Sequence, residues 1–259
     1  MKISVITVVK NGMPYLKTAI ESVNKQKNIN NSEHIVVYSS SEDTTEEFLK
    51  AQSNIQVIFD NSSKNKFGSI NKGIIQATGD IIGLLHSDDI FYNEYTLSEI
   101  NNSFQQGYDV VYGNILFCKK NNIREISREW VSSNFDIKKL KYGWMPPHTS
   151  IFINSKVLKE NLYDEEYPIS GDYLFILKLL NLPNLKIKYL NKNITIMRDG
   201  GDSTKINNIY KKFKEDINIA KRFFKFPLIV IFLKVILKLK QLKFSKNLIS
   251  NNYIDNLNN

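Results

Sequence analysis

The chain has 259 residues, enough for one large domain or two small ones. Its 42% hydrophobic and 24% charged residues are typical of a folded globular protein and exclude wholesale disorder. The single cysteine, Cys118, excludes an intramolecular disulfide and a cysteine-rich zinc site. No apolar run reaches the length of about 18 residues that a membrane-spanning helix needs, so we expect a cytoplasmic protein.

The net charge of +9 could indicate nucleic-acid binding, but its position along the chain argues against such a partner. Residues 211–246 contain eleven Lys and Arg against two acidic residues, so the rest of the chain is neutral. No nucleic-acid recognition motif accompanies the basic segment. We therefore predict that the protein has no nucleic-acid partner.

The first hundred residues alternate apolar, strand-like runs with helix-like stretches. The predicted strands are residues 3–9, 34–38, 55–59 and 80–85, and the predicted helices between them are 14–27, 42–52 and 67–77. This alternation favours an α/β fold with a parallel sheet and right-handed crossovers. In such sheets ligands bind beyond the carboxyl ends of the strands.

The pattern becomes mixed beyond residue 89. We expect helices at 94–106 and 172–182, and strands at 109–112, 115–118, 123–127, 150–153, 187–190 and 194–197. The basic segment that follows predicts an amphipathic helix beginning at Leu228. One side of that helix carries Lys234, Lys238 and Gln241, and the other carries Leu228, Phe232, Val235, Leu239 and Leu242.

A basic helix with a wide apolar face suits the interface of an anionic membrane. The alternative interpretation is a terminal helix that packs on the body of the protein or on a second subunit of a homodimer. We expect peripheral association with the inner face of the cell membrane.

The most informative motif is Ser87-Asp88-Asp89, directly after the predicted strand 80–85. Two adjacent carboxylates beside a core are costly unless a cation neutralises them, and oxygen ligands favour Mg²⁺ or Mn²⁺. The alternative is a helix N-cap, a role that Asp fills well. The dinucleotide fingerprint and the phosphate loop of P-loop enzymes are both absent.

The chain resembles family 2 glycosyltransferases of the GT-A fold in the segments ISVITVVKNGMPYLKTAIESV, INKGIIQATGDIIGLLHSDD, MPPHTSIFI, SGDYLFILKLL and MRDGGDS. The resemblance implies a GT-A α/β domain over residues 1–205, with a mostly parallel sheet flanked by helices. Residues 206–259 would then form a separate C-terminal, basic, amphipathic helical tail. The implied reaction is the inverting transfer of a sugar from a nucleotide diphosphate-sugar donor, dependent on Mn²⁺ or Mg²⁺.

The resemblance also implies roles for individual residues. Asp88 and Asp89 match the motif that binds the metal and the diphosphate, and Asp172 matches the acid taken as general base. The remaining matches are expected on the substrate and nucleotide side: Thr7 and Asn11 in the opening turn, Lys72 in an Asn-Lys-Gly stretch, His148 toward the acceptor, and Arg198 and Ser203 near the diphosphate.

One position departs from the family pattern. Tyr38 occupies the place after the second strand where an acidic residue usually contacts the nucleotide base. A tyrosine can stack on a base or offer its phenol, but it cannot act as the carboxylate acceptor of an imide N–H. We therefore expect Tyr38 to contact the nucleotide in a different way.

Resemblance and tail together predict transfer to a glycan acceptor, expected to be lipid-linked, in bacterial surface polysaccharide biosynthesis. Two alternatives stay open at this point. One is a nucleotidyltransferase, although that class normally has a glycine-rich basic loop after the first strand. The other is a glycosyltransferase-like subunit that binds sugar nucleotides without turnover.

Overall fold

The computed structural model describes residues 1–200, 206–240, 247–248 and 252–257. The strands in these residues are β1 (Ile3–Val9), β2 (Ser32–Tyr38), β3 (Gln56–Phe59), β4 (Ile81–Leu84), β5 (Ile90–Phe91), β6 (Val110–Lys119), β7 (Asn122–Trp130), β8 (Phe152–Asn154), β9 (Ile187–Arg198) and β10 (Asn247–Leu248). The helices are α1 (Tyr15–Asn24), α2 (Thr45–Lys50), α3 (Lys66–Gln76), α4 (Thr96–Gln105), α5 (Ser155–Glu160), α6 (Gly171–Leu180), α7 (Ile206–Phe223), α8 (Pro227–Lys240) and α9 (Asn252–Leu257).

The strands form one sheet in the order β10-β7-β6-β8-β4-β1-β2-β3. Strands β3, β2, β1 and β4 are parallel, so their carboxyl ends lie at one edge. Strand β8 runs antiparallel between β4 and β6 and joins this parallel half to an antiparallel half. Strand β9 pairs in parallel with β6 and antiparallel with β5. The α/β fold with helices flanking a sheet is therefore confirmed.

Apolar side chains on both faces of the sheet explain its position in the interior. One large cluster combines the sheet with α3 and α6, and a second lies under α1 and α4. Gly83 of β4 allows Phe152 of β8 to lie against it, since a Cβ at this position would come within 2.2 Å of the phenyl ring. Strand β8 can therefore lie directly beside β4, its antiparallel neighbour in the sheet.

The predicted strand 3–9 is confirmed residue for residue, and the other strands of the parallel half agree to within two residues. Two predictions were wrong in the second half. The predicted strands 109–112 and 115–118 form the single strand β6, whose pairing with β9 shifts register around Asn114. The predicted strands 187–190 and 194–197 are likewise one strand, β9, because the chain stays extended through its polar middle, where the pairing with β6 shifts register and resumes at Asn193.

The last helices pack on the body of the protein. Helix α7 contacts α6, and α8 contacts the short 3₁₀ helix Ile137–Tyr142. Gly143 makes the second contact possible: its φ of +80° suits glycine, and a Cβ there would meet the Lys234 backbone at 2.4 Å. Among the helices in the described ranges, none has the length and hydrophobicity to cross a membrane.

Candidate active site

The acidic pair lies in the loop that follows β4. This loop leads directly into β5, and the next helix, α4, begins only at Thr96. The helix-cap alternative for Asp88 and Asp89 is therefore wrong. The loop lies at the edge of the sheet where the parallel strands end, which is the edge at which α/β sheets bind ligands.

Asp89 is 1% exposed and has its two carboxylate oxygens in different environments. Its Oδ1 accepts a hydrogen bond from the backbone N–H of Arg198 at 3.2 Å. Its Oδ2 lies 3.3 Å from Nδ1 of His86 but has no hydrogen-bond partner of normal geometry. An ionised oxygen left unsatisfied in the interior is costly, so this oxygen is suited to a cation.

His86, Asp88 and Asp89 together form a set of possible metal ligands. One ligand atom from each residue lies within 4.8 Å of the others. Two carboxylates and an imidazole suit Mn²⁺, which accepts both oxygen and nitrogen, whereas Mg²⁺ prefers oxygen alone. The residues present therefore fit a divalent metal.

The acid–imidazole group is electrostatically coupled. Burial and the charge of Asp89 raise the pKa of Asp88, against a smaller opposing effect of His86. Burial by itself lowers the pKa of His86, but the contact with Asp89 outweighs it and the net pKa is raised. A cation placed between these groups would relieve the repulsion between the two carboxylates.

Arg198 lies at the end of β9, beside the acidic pair. Its guanidinium lies 4.7 Å from the ring centroid of Tyr15, and one terminal nitrogen donates to the carbonyl of Lys120 at 3.0 Å. Its Nε is buried and has no hydrogen-bond partner among the residues that the structure describes. Ser203, predicted to lie in the same loop, falls outside the described residues.

Asp172 is the second residue of α6 and is partly buried. Its Oδ1 accepts from the backbone N–H of Tyr173 at 2.8 Å. Burial by itself raises the pKa of this carboxyl, but the basic side chains Lys212, His148, Lys66 and Lys234 together lower it to about 2. Ser170, not Asp172, occupies the N-cap position of α6, so Asp172 does not serve as the cap of this helix.

His148 lies close to both His86 and Asp172. Its ring centroid is 6.4 Å from that of His86, and its Nε2 lies 2.7 Å from the hydroxyl of Tyr163. Burial lowers the pKa of His148 to about 4, so the imidazole is neutral at physiological pH. Behind it, Tyr163 stacks on Phe175 with ring centroids 4.0 Å apart. The aromatic packing holds His148 close to the candidate metal ligands and to the candidate base.

The residues predicted in the opening turn have structural partners. Thr7 is fully buried in β1, where its hydroxyl donates to the carbonyl of Leu85 and contacts His34. Asn11 has a φ of +54°, and its side chain accepts from the N–H of Glu42 at 2.8 Å. Both residues shape the site by holding loops together, and a nucleotide contact by either stays a prediction.

Tyr38 and Lys72 lie near Asp60, which the sequence analysis did not single out. Tyr38 packs against Phe59 with ring centroids 5.2 Å apart, at the ends of β2 and β3. Asp60 follows β3 and is buried, and it accepts from the ammonium of Lys72 and from the hydroxyl of Ser69. Its burial favours protonation, but these donors reverse the effect and hold its pKa well below the ordinary value.

Asp60 therefore supplies an acidic group one strand away from the expected position. The signal was its place directly after a predicted strand, the same signal that identified the Asp88–Asp89 pair. The structure thus brings together His86, Asp88, Asp89, Arg198, His148 and Asp172, whereas Tyr38, Asp60 and Lys72 form a separate group at the ends of β2 and β3.

Comparison with known proteins supports a common family. The model of glycosyl transferase family 2 matches residues 4–162, more than half of the chain. An uncharacterized glycosyltransferase of Methanocaldococcus jannaschii is 27% identical over 179 residues, which are 64% of this chain and 60% of that protein. The GalNAc(5)-diNAcBac-PP-undecaprenol beta-1,3-glucosyltransferase of Campylobacter jejuni is 27% identical over 85% of this chain and 73% of its own length.

Two solved structures share the fold. TarS of S. aureus in complex with UDP-GlcNAc aligns with a TM-score of 0.67 and 18% identity, over 95% of this chain and 74% of that one. The mannosyltransferase PcManGT of Pyrobaculum calidifontis in complex with GDP-Man and Mn²⁺ aligns with a TM-score of 0.62 and 14% identity, over 92% and 70%. At these identities the likeness concerns the fold.

Proposed function

Because the chain belongs to glycosyl transferase family 2, we propose that it is an inverting, metal-dependent enzyme. It transfers a sugar from a nucleotide diphosphate-sugar to a glycan acceptor carried on a lipid, in the assembly of a bacterial surface polysaccharide. The observation that carries this proposal is a metal-ligand set and a separate carboxylate, Asp172, each close to the neutral imidazole of His148.

The donor side of the site consists of His86, Asp88 and Asp89, which would hold Mn²⁺ in preference to Mg²⁺. When bound, the ion supplies a Lewis acid for the negative charge of the departing diphosphate. The guanidinium of Arg198 adds a fixed positive charge beside the departing diphosphate. Two relatives in fold are complexes with nucleotide-sugars, one of them with Mn²⁺, which supports this donor class.

The acceptor side consists of Asp172 and His148. Asp172 takes the proton of the acceptor hydroxyl. The hydroxyl oxygen forms a bond to the anomeric carbon of the donor sugar, while the bond between that carbon and the diphosphate oxygen breaks. A base on the side opposite the leaving group gives inversion. A positioned general base typically contributes about 10²–10⁴ in rate.

The exposed face of α8 supports a membrane-bound acceptor. Leu228, Phe232, Val235 and Leu239 point to solvent there, next to the exposed lysines 225 and 238. Apolar area beside cationic side chains matches the interface of an anionic bilayer. The name of the Campylobacter jejuni relative specifies an undecaprenol diphosphate-linked acceptor, which supports the same substrate class for this chain.

Membership in family 2 argues against the nucleotidyltransferase alternative. The binding subunit without turnover is the second candidate, favoured by Tyr38 at the position where the family has an acid. It is distinguished by turnover, because both candidates would bind a nucleotide-sugar.

The test measures hydrolysis and transfer with a panel of nucleotide diphosphate-sugars and Mn²⁺. Asp89→Asn keeps an oxygen acceptor for the Arg198 N–H but removes the negative charge. For each donor that the wild type turns over, we expect kcat of the variant to fall by about 10²–10³. Mn²⁺ affinity, measured by calorimetry, should fall in parallel. The matched control is Asp80→Asn, at the opposite end of β4, which should retain activity. Donor binding by the wild type without any turnover would favour the binding subunit.

A further inference from the structure

The N-cap residue of α6, the helix that carries Asp172, does not cap the helix with its own side chain. Ser170 occupies the N-cap position, but its hydroxyl caps none of the following N–H groups. That hydroxyl is buried and has no hydrogen-bond partner. The backbone N–H groups at and just before this helix start find their partner in another part of the chain.

Glu215 of α7 supplies that contact. Its Oε2 accepts hydrogen bonds from the backbone N–H of Ile169 at 3.0 Å and of Ser170 at 2.8 Å. The side chain is 8% exposed, so water competes little for these bonds. In an ordinary capping box a glutamate of the same helix reaches back to the N-cap N–H. Here a glutamate 45 residues further along the chain does so.

Asp216, the next residue, connects the same turn to α8. It pairs with Lys234 at 3.0 Å and with Lys212 at 3.8 Å. The ammonium of Lys234 lies 3.4 Å from the ring centroid of Tyr173, the residue whose backbone N–H binds the Asp172 carboxylate. The backbone before Asp172 is thus held by α7, and the side chain of Tyr173 after it contacts Lys234 of α8.

We infer that Glu215 is a positioning residue for sugar transfer, holding the first turn of α6 so that the Asp172 carboxylate keeps its place. The helices after residue 205 then form part of the catalytic site, in addition to the membrane contact proposed above. The inference rests on the proposed function, since Asp172 is the base of that reaction. A small displacement of a catalytic group is costly, with a 1 Å error worth about 10²-fold in rate.

The test compares Glu215→Ala and Glu215→Gln in the full-length protein. The alanine variant removes both hydrogen bonds, whereas glutamine keeps an oxygen acceptor. We expect Glu215→Ala to lower kcat by about 10- to 100-fold with the donor KM within twofold of wild type, and Glu215→Gln to restore most of kcat. Asn218→Ala, an exposed position on the same helix, is the matched control and should behave as wild type.

Hydrogen–deuterium exchange provides a readout independent of activity. The peptide spanning residues 167–174 should exchange at least tenfold faster in Glu215→Ala than in wild type, and Glu215→Gln should preserve its protection. Unchanged exchange in Glu215→Ala, or a parallel change in KM and kcat, would overturn the inference. If Glu215→Ala does not fold, Lys234→Met replaces it, with the same selective loss of kcat expected.

The two proposals fail separately. A wild-type protein that turns over no nucleotide-sugar would overturn the proposed function, while the exchange experiment still decides whether Glu215 holds the helix. A wild-type protein that is active and insensitive to Glu215→Ala would leave the function standing and reject the inference.

Discussion

The pKa of the Asp172 carboxyl is lowered by basic side chains from four separate parts of the chain. Lys66 begins α3, His148 lies in the turn before β8, and Lys212 and Lys234 belong to α7 and α8. Their combined effect exceeds the desolvation of the carboxylate and holds its pKa at about 2, below the ordinary 3.8. A base of low pKa is weak, so its contribution depends on contact with the acceptor rather than on basicity in the free enzyme.

At the residue scale we predict that Asp172→Asn lowers the transfer rate by about 10²–10⁴ with little change in donor affinity. Asparagine keeps an oxygen for the Tyr173 N–H but cannot take a proton. The rate and a donor-binding titration measure the two effects. Asp136→Asn is the control, because Asp136 also accepts from a backbone N–H at a helix start but lies on the surface.

The same residue has a predicted pH dependence. Since its folded pKa is about 2, the carboxylate is ionised throughout pH 5–8, and its protonation should produce no loss of kcat/KM in that range. A loss of rate below pH 6 that disappears in Asp172→Asn would contradict the low pKa of this carboxyl.

The sequence pointed to Asp88 and Asp89 by their place directly after a strand, and to Asp172 through the resemblance to family 2 glycosyltransferases, and their roles stay predictions. It did not identify the contact of Lys72 with Asp60, or the use of the Thr7 hydroxyl by Leu85 and His34. Those partners are 12 to 78 residues apart in the chain. Local patterns indicate which residues are buried, but packing of whole elements selects their partners.

At the element scale, α8 turns its predicted apolar side to solvent and a lysine of its predicted basic side to the body of the protein. The helix begins at Pro227, next to the predicted start at Leu228. Lys234, on the predicted basic side, points inward to Asp216 and Tyr173, while the predicted apolar side is exposed. Gln241 and Leu242, which extend the two sides, lie outside the described residues. Burying a lysine and exposing a phenylalanine is unfavourable in water, which supports a partner for the outer face.

We predict that Phe232→Glu abolishes sedimentation with vesicles containing anionic phosphatidylglycerol. Phe232 is 64% exposed, so the fold should tolerate the change, and burial of such a ring in a bilayer is worth about 1.5–3 kcal/mol. Binding should therefore weaken roughly 10- to 100-fold. The control is Phe59→Glu on β3, 54% exposed and distant in the sheet order from the antiparallel half.

Two results would contradict the membrane role of α8. One is a Phe232→Glu variant that sediments like wild type. The other is a wild-type protein that forms a dimer in solution which Phe232→Glu dissociates, because the apolar face would then be a subunit interface.

At the scale of the whole molecule, the two ends of the parallel strands have different roles. The carboxyl ends carry the candidate site, and the opposite ends are joined by an ion pair and hydrogen bonds of Glu33. Glu33 pairs with Lys2 at 2.7 Å and accepts from the N–H of Thr78 at 2.7 Å, so it joins the starts of β1, β2 and β4. Burial acts against its ionised form, but these donors outweigh burial and lower its pKa from 4.5 to about 2.

We predict that Glu33→Gln lowers the free energy of unfolding at pH 7 by up to roughly 3 kcal/mol. A folded-state pKa below the unfolded value stabilises the protein above pH 4.5, and this contribution is lost as the pH falls toward 2. Urea denaturation at pH 7, 5 and 3 should show the difference from wild type shrinking on acidification. Glu47→Gln, on the exposed side of α2, is the control, and a difference independent of pH would refute the linkage.

The sequence alone determined the alternation of strands and helices, the acidic pair after β4 and the basic C-terminal segment, because each depends on residues adjacent in the chain. Only the tertiary structure decided that α7 and α8 contact the start of α6. It also decided that His148 lies close to Asp172 and to His86, and that Lys234 points inward to Asp216. The physical reason is that these contacts arise from the docking of complete elements, whose geometry depends on packing across the whole sheet rather than on any local pattern.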